Sequence, residues 1–344
     1  MKNESMREFT INANDAGQRL DKFIQKTVRG IPISMMYKAI RTKKIKVNRA
    51  RAEQKQILME GDTVQMFLAE DLFGEKISQN ELMVTTPKLN IVYEDENILI
   101  CEKKPGVLCH SGDGDGKTNG DGRISDRNTL IYHVQSYLCQ KGEYDPTAEN
   151  SFAPALCNRI DRNTGGLVIA AKTAAALREM NEKIRADKVE KYYLCAAHGR
   201  PDRKTDILRG YLIKNAKDNK VFVTDRKSPA AKEIITKYTV VDYNADKDIS
   251  LLLIELITGR THQIRAHLSS IGHPLLGDGK YGVNQADRRI GYKHQALYSY
   301  RVKFNFKDGC LSYLNGQEFY AERGNVDFLT EFSYGKAAPL FPKK

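Results

Sequence analysis

The sequence predicts an α+β protein in which a small α/β module precedes a larger domain built on a mixed, mainly antiparallel sheet. Three observations lead there. Between residues 16 and 70, apolar spacing of helical type gives way to strand-like alternation. Farther on, short strand-like runs come in pairs separated by turn residues, as hairpins do. Helical patterns are too few among those strands for a succession of βαβ units.

In chain order, Leu20, Phe23 and Ile24 have the spacing of one helix, and Ser34 is placed to cap a second carrying Tyr37 and Ile40. Ile45-Lys46-Val47-Asn48 alternates as a strand, and Thr63 to Leu68 reads as another after the turn signal Gly61-Asp62. Residues 1–75 form this module, and residues 76–88, which lack clear periodicity, read as a linker. The main domain, 89–310, opens with strand runs at 91–95 and 98–102 around the turn Asp95-Glu96-Asn97. Gly166 to Ala171 is apolar enough for a buried strand, and Thr173 can cap the helix that follows, with Leu177, Met180 and Ile184 on one face. Runs at 234–241 and 249–257 read as a hairpin. Thr261 to Ile271 has Ile264, Leu268 and Ile271 at helical spacing and ends at Gly272, with Pro274 beyond. The extension 311–344 carries no readable signal, and no internal repeat is present.

Composition narrows the function. The longest apolar runs are strand-sized and the N-terminal residues are polar, so neither a signal peptide nor a membrane span is expected. Six cysteines without a CxxC or zinc-type Cys/His spacing read as reduced thiols of a cytoplasmic protein. The net charge of +12 is concentrated: Arg19 to Lys55 holds twelve basic and two acidic residues. Such a cluster is either a solvated helical face or the footprint of a polyanion-binding module, in which each neutralised phosphate releases counterions. The Gly/Asp-rich segment 111–125 contains Gly116-Lys117-Thr118, but a phosphate-binding loop requires glycine where Ser111 stands. Asp113 and Asp115 suggest a calcium loop, but Lys117 occupies the next ligand position. A surface insertion is the better reading.

The stretch Asn158 to Lys172 places Asp161 between Arg159 and Arg162, on a loop that runs through Thr164-Gly165-Gly166 into the buried strand. Adjacent cations keep a carboxylate ionised when it is partly desolvated, which suits a nucleophile and equally a structural salt bridge. The residues alone leave both readings open.

This stretch resembles the HRLDxxTSGLLLxAK signature of the RluA-type pseudouridine synthases, with Asn158 in place of the His and Gly165 in place of the Ser. Further matches follow in order: Tyr93-Glu-Asp95 through Lys104-Pro-Gly106, then Glu190 to Leu194, then Thr258 to Leu268 with Gly272-His-Pro and Gly277 to Gly282, and finally His294 to Leu297. Gly17 to Asp21, Ser34, Ile45 to Asn48 and Gly61-Asp62 resemble the S-four-type (alpha-L) RNA-binding domain, with Lys44 and Arg49 where glycines are usual. Together the resemblances span about residues 16 to 306 and imply a pseudouridine synthase fold for 89–310 behind an alpha-L domain.

They also imply roles. Asp161 is the catalytic carboxylate, Arg260 its ion-pair partner, and Tyr193 the ring that stacks on uracil and mediates loss of the carbon-5 proton. Arg159, Lys191 and Arg265 are implied RNA contacts, and Arg19, Lys38, Arg41, Lys43, Lys44 and Lys46 form the RNA-binding surface of the module. His262, His267 and His273 read as hydrogen-bonding or core residues, because a five-residue spacing does not put two rings on one helical face. No cofactor and no metal are implied. The partner is structured RNA, with large-subunit ribosomal RNA favoured over transfer RNA, and the chain acts as a monomer without an obligatory protein partner. The rivals are a nucleotide hydrolase and a non-catalytic ribosome-assembly factor on the same fold, which would not need Asp161, Tyr193 and Arg260 together.

Overall fold

The computed structural model describes residues 4–28, 30–73, 78–111, 126–215, 220–282 and 284–342; most of the Gly/Asp-rich insertion, 112–125, lies outside them. The chain divides into two compact units. The first comprises Met1–Lys88, Ile131–Ala155 and Ala171–Arg178, and the second Leu89–Leu130, Leu156–Ala170 and Glu179–Lys344. This division differs from sequence order in 131–155 and 171–178, which the sequence groups with the main domain.

The first unit contains β1 (Glu4–Thr10), α1 (Leu20–Thr27), α2 (Ile33–Arg41), β2 (Ile45–Val47), β3 (Ala50–Arg51), β4 (Thr63–Ala69), α3 (Gln79–Val84) and nearly all of α4 (Leu130–Gln140). Its sheet has the order β1-β4-β2-β3, every neighbour antiparallel. The expected helical spacing of Leu20, Phe23 and Ile24 is realised as one buried face, against Ile45, Val64 and Met66. Two expectations change. Ser34 does not cap α2, because Pro32 occupies the N-cap and fixes the extended entry. The linker holds α3, capped by Ser78 Oγ, which accepts the Glu81 N–H at 3.2 Å, and anchored by buried Leu82 against Tyr132. Ser78-x-x-Glu81 is a capping-box spacing that was legible in the sequence.

In the β2–β3 turn Asn48 and Arg49 take left-handed φ values of 51° and 62°, and the structure shows what compensates at Asn48. Asn48 Oδ1 accepts the Thr63 N–H and its Nδ2 donates to Asp62 Oδ1, both at 2.8 Å, so side-chain bonds offset the backbone cost that glycine would avoid. Residues distant in sequence complete this unit. Buried Asp15 accepts the Ser151 hydroxyl at 2.5 Å and the Asn150 amide at 2.7 Å.

The second unit contains β5 (Ile91–Glu94), β6 (Ile98–Lys103), β7 (Ala155–Leu156), β8 (Gly165–Ala171), the later part of α5 (Ala174–Arg185), β9 (Val189–His198), β10 (Thr205–Asn215), β11 (Lys220–Thr224), β12 (Lys232–Asn244) and β13 (Ile249–Leu256). It continues with α6 (Gln263–Ser270), α7 (Asn284–Arg289), β14 (Leu297–Phe304), β15 (Glu318–Tyr320) and α8 (Tyr334–Ala337). One sheet runs β11-β10-β12-β13-β9-β14-β8-β6-β5, with β15 on β14 and β7 on β8. It is mixed, since β14 pairs parallel to β8 and antiparallel to β9 and β15. Both expected hairpins form, and Asp95 Oδ1 closes the first by accepting the N–H groups of Asn97 and Ile98 at 2.7 Å each.

Helix α6 ends before Ile271, which is 38% exposed at the C-cap rather than facing the core. Gly272 beyond it takes φ +85°, as the stop signal anticipated. The extension after 310 packs buried Leu311, Leu314 and Phe328 and adds β15 to the sheet. Among the described residues no helix is long and apolar enough to cross a membrane.

Candidate active site

A cavity of about 270 Å³ opens where the loop before β8, strands β9 and β13 and the start of α6 converge, all within the second unit. Asp161 and Tyr193 both line it. The loop carrying Asp161 is held by local bonds: Asn158 Oδ1 accepts the Ile169 N–H at 2.7 Å, and the Thr164 N–H donates to the Asp161 carbonyl at 3.0 Å.

Two glycines then admit β8 to the sheet. Gly166 takes φ +113°, and a Cβ there would meet the Ser299 carbonyl oxygen at 2.1 Å. At Gly165 a Cβ would lie 2.3 Å from the Tyr298 ring, so the Ser of the signature would not fit here unless that ring moved. Both departures from the signature, Asn158 and Gly165, thus have structural partners.

Asp161 is about a quarter exposed, and its Oδ2 accepts a 3.0 Å bond from Arg265 Nη1. Arg265 is buried on the first turn of α6, and its Nε and Nη2 donate to the two oxygens of Asp278 at 2.7 and 2.8 Å. Asp278 is fully buried and also accepts the N–H groups of Lys280 and Tyr281 at 2.9 and 3.1 Å. Burial acts to discharge Arg265, but the two carboxylates outweigh it and hold its proton more tightly than usual. Burial likewise pushes the Asp278 carboxyl up, and Arg265 with the backbone N–H groups pulls it below its ordinary value. The result is a fixed guanidinium clamped by one buried carboxylate and presented to another at the cavity wall.

Arg260 does not make the expected pair. It lies exposed at the rim of the same cavity, beyond the left-handed turn at His262 (φ 54°) that starts α6. Gln263 Oε1 accepts the Arg260 N–H at 3.1 Å and the Thr258 hydroxyl at 2.9 Å, fixing Arg260 outside the helix. Arg265, five residues farther on and also in the cavity wall, faces Asp161 instead.

Tyr193, on β9, is buried, and burial pushes its hydroxyl up to about 12. Lys191 is half-buried in the cavity wall, and burial pulls its pKa below the usual lysine value. Arg159 is exposed at the cavity edge. His262 Nδ1 lies 3.0 Å from the Tyr281 hydroxyl, and its Nε2 lies 3.9 Å from Asp161 Oδ2. His267 Nδ1 lies 3.0 Å from the Thr236 hydroxyl; both are hydrogen-bonding histidines, as expected. Asp278 and Tyr281 were not singled out from the sequence, although they sit in the Gly277 to Gly282 block that was quoted.

In the first unit, Lys38, Arg41 and Lys43 are exposed on α2 and the turn after it, while Lys44 and Lys46 are half-buried. Lys46 Nζ lies 5.8 Å above the Phe67 ring. Arg19 is largely neutralised in place, because Asp21 accepts from its Nε at 3.1 Å and from its Nη2 at 2.5 Å.

The family model described as RNA pseudouridylate synthase matches residues 97–270. An uncharacterized RNA pseudouridine synthase of Mycoplasma genitalium is 33% identical over 301 residues, covering 86% of this chain and 88% of the relative. The ribosomal large subunit pseudouridine synthase C of Buchnera aphidicola is 32% identical over 288 residues, covering 83% of this chain and 84% of that one. Among solved structures, human RNA pseudouridylate synthase domain containing 4 superposes with a TM-score of 0.51 at 20% identity, covering 70% of this chain and 92% of that chain, a likeness of fold.

Proposed function

The chain belongs to the RNA pseudouridylate synthase family, and from that premise we propose that it isomerises uridines of large-subunit ribosomal RNA at Asp161. The observation that carries the site is the Asp161 carboxylate, held through Oδ2 by a guanidinium that Asp278 immobilises. Oδ1 is then the oxygen left for the substrate. Pseudouridine formation breaks the bond between ribose and uracil, turns the base and rejoins it through ring carbon 5. The overall change is an isomerisation, so the site must supply placement, charge and one proton transfer.

A target uridine flipped from its helix would enter the cavity between Asp161 and Tyr193. Tyr193 is protonated at neutral pH, since its hydroxyl titrates only near about 12. We therefore give it the role of platform and neutral proton relay, not that of a phenolate base. Arg265 replaces Arg260 as the positioning partner, and no exchange of partners is required. Arg260, Arg159 and Lys191, around the cavity, are the proposed contacts to RNA phosphates.

Residues 1–75 are proposed as an S-four-like RNA-binding domain, supported by the four-stranded antiparallel sheet and the exposed cations Lys38, Arg41 and Lys43. Residues 89–310 are the proposed catalytic domain, acting as a monomer in the cytoplasm. The ribosomal substrate rests on the names of relatives. Transfer RNA is the alternative.

The test is position-resolved pseudouridine mapping of ribosomal and transfer RNA in a deletion strain, complemented with wild type or Asp161→Asn. The reading requires a missing pseudouridine in large-subunit RNA that only wild type restores. Loss confined to transfer RNA would refute the substrate class, and restoration by Asp161→Asn would refute the site.

A further inference from the structure

Building on the reading of Asp161 given above, we infer that Asp287 is a positioning residue of the active site. Its buried carboxylate fixes the turn at Gly277, so that Asp278, the next residue, keeps Arg265 aimed at Asp161. Asp287 lies on α7 and is 2% exposed, yet among the described residues no lysine or arginine pairs with it. A carboxylate buried on those terms is costly, and the hydrogen bonds it accepts must offset that cost. Its Oδ2 accepts the buried Gly277 N–H at 2.7 Å and lies 3.1 Å from His198 Nε2. Its backbone carbonyl accepts the Tyr292 N–H at 2.9 Å.

These partners belong to the segments on which the site depends. His198 ends β9, the strand that carries Tyr193. Residues 274–277 run beside that strand: the His198 N–H donates to the Pro274 carbonyl and the Leu276 N–H to the Ala196 carbonyl, both at 2.9 Å. The chain then turns at Gly277, with φ +74°, where a Cβ would lie 2.2 Å from the His294 carbonyl oxygen. Packing excludes any side chain from this turn, and Asp287 supplies the acceptor for its buried N–H. Asp278 follows at once. Its two oxygens take Arg265 Nε and Nη2, so a rotation of the Gly277 peptide is carried to the guanidinium and, through Nη1, to Asp161.

Asp287 does not line the cavity, so it acts on the reaction only through the residues that it orients. Its loss should spare RNA affinity and lower the rate on bound RNA. The loss should also matter only while the clamp of Asp278 on Arg265 is intact. A residue that merely stabilised the fold would lower the melting temperature, and any effect on rate would be independent of the clamp.

The experiment measures single-turnover tritium release from ribosomal and transfer RNA transcribed with carbon-5-tritiated uridine. Enzyme is saturating, the temperature is well below each variant's melting temperature, and RNA affinity is measured by filter binding. On whichever RNA wild type modifies, Asp287→Ala should be slower by about a hundredfold, the loss that a small misplacement produces, with affinity within about twofold of wild type. In the background Arg265→Met/Asp278→Asn, which lacks the clamp, adding Asp287→Ala should cost less than about threefold more, because residues that act as a unit are not additive. Should Asp287→Ala fail to fold, Asp287→Ser serves: its smaller side chain leaves room for water at the Gly277 N–H without fixing the turn, and the same two results are expected. A rate within about threefold of wild type, a loss confined to affinity, or the full loss repeated in the background without the clamp overturns the inference. Asp161→Asn is run alongside: turnover in it removes the premise, whereas an inactive Asp161→Asn beside an unimpaired Asp287→Ala removes this inference alone.

Discussion

Replacing Arg265 with Met keeps most of the side-chain length and removes the charge shared by Asp161 and Asp278. Asp278 is fully buried and, among the described residues, would keep the N–H groups of Lys280 and Tyr281. Breaking a buried pair from one side costs about 3–5 kcal/mol, because the remaining charge is stranded. Asp161, about a quarter exposed, regains water and adds little to that cost. The double variant Arg265→Met/Asp278→Asn strands no charge and should recover most of the loss, leaving about 1–2 kcal/mol for imperfect hydrogen bonding. Its activity should stay low, by roughly 10²–10³-fold, the range for loss of one preorganised donor. The pH dependence reverses as well. In wild type the folded-state pKa of Asp278 is depressed, so its contribution is present above about pH 4 and lost as pH falls through the depressed value. Without Arg265, burial dominates and raises that pKa, so the variant gains stability from this group as pH is lowered. Urea denaturation at neutral and mildly acidic pH, with single-turnover rates, measures all of this. A single variant within about 1 kcal/mol of wild type, or a double variant no more stable than the single, would refute the stranded-charge account.

Arg260→Ala should lower the saturating rate by less than about tenfold while weakening RNA binding, since its guanidinium stands at the rim and not on Asp161. A loss as large as that of Asp161→Asn would restore Arg260 as the partner. Replacing Lys38, Arg41 and Lys43 together with Gln should reduce the slope of log affinity against log salt by about two, at roughly 0.7 per single-strand phosphate contact, with the rate on bound RNA unchanged. An unchanged slope would detach this surface from RNA. Gly165→Ser should destabilise by about 1–3 kcal/mol through overpacking, because Tyr298 is buried and its hydroxyl is held by Glu102 at 2.7 Å. A Tm equal to that of wild type would mean that the ring moves aside.

Features controlled by covalent neighbours and short-range geometry were readable along the chain. The two hairpins follow from paired strand-like runs, the first parted by the turn Asp95-Glu96-Asn97, and β8 follows from an unbroken apolar run. The place of Asp161 before β8 was legible because the loop, the glycines and the strand are contiguous with it, whereas its proposed role came from the resemblance of that stretch to a signature and not from the residues alone. Even at short range the reading was incomplete: Ser78 and Glu81 spelled a helix start inside the expected linker, and Pro32 took the cap assigned to Ser34. Which arginine meets Asp161 was a different matter. Arg260 and Arg265 are both basic and five residues apart, and the choice between them is made by the left-handed turn at His262 and by Asp278, which clamps Arg265 from another loop. The same holds for buried Lys103, whose Nζ donates to the Arg162 carbonyl 59 residues away, and for Asp15, bonded to Ser151 across 136 residues. Periodicity and turn chemistry act within a few residues, so they can be read along the chain; a buried charge is satisfied by whatever the fold brings within about 3 Å, and only the tertiary structure decides what that is.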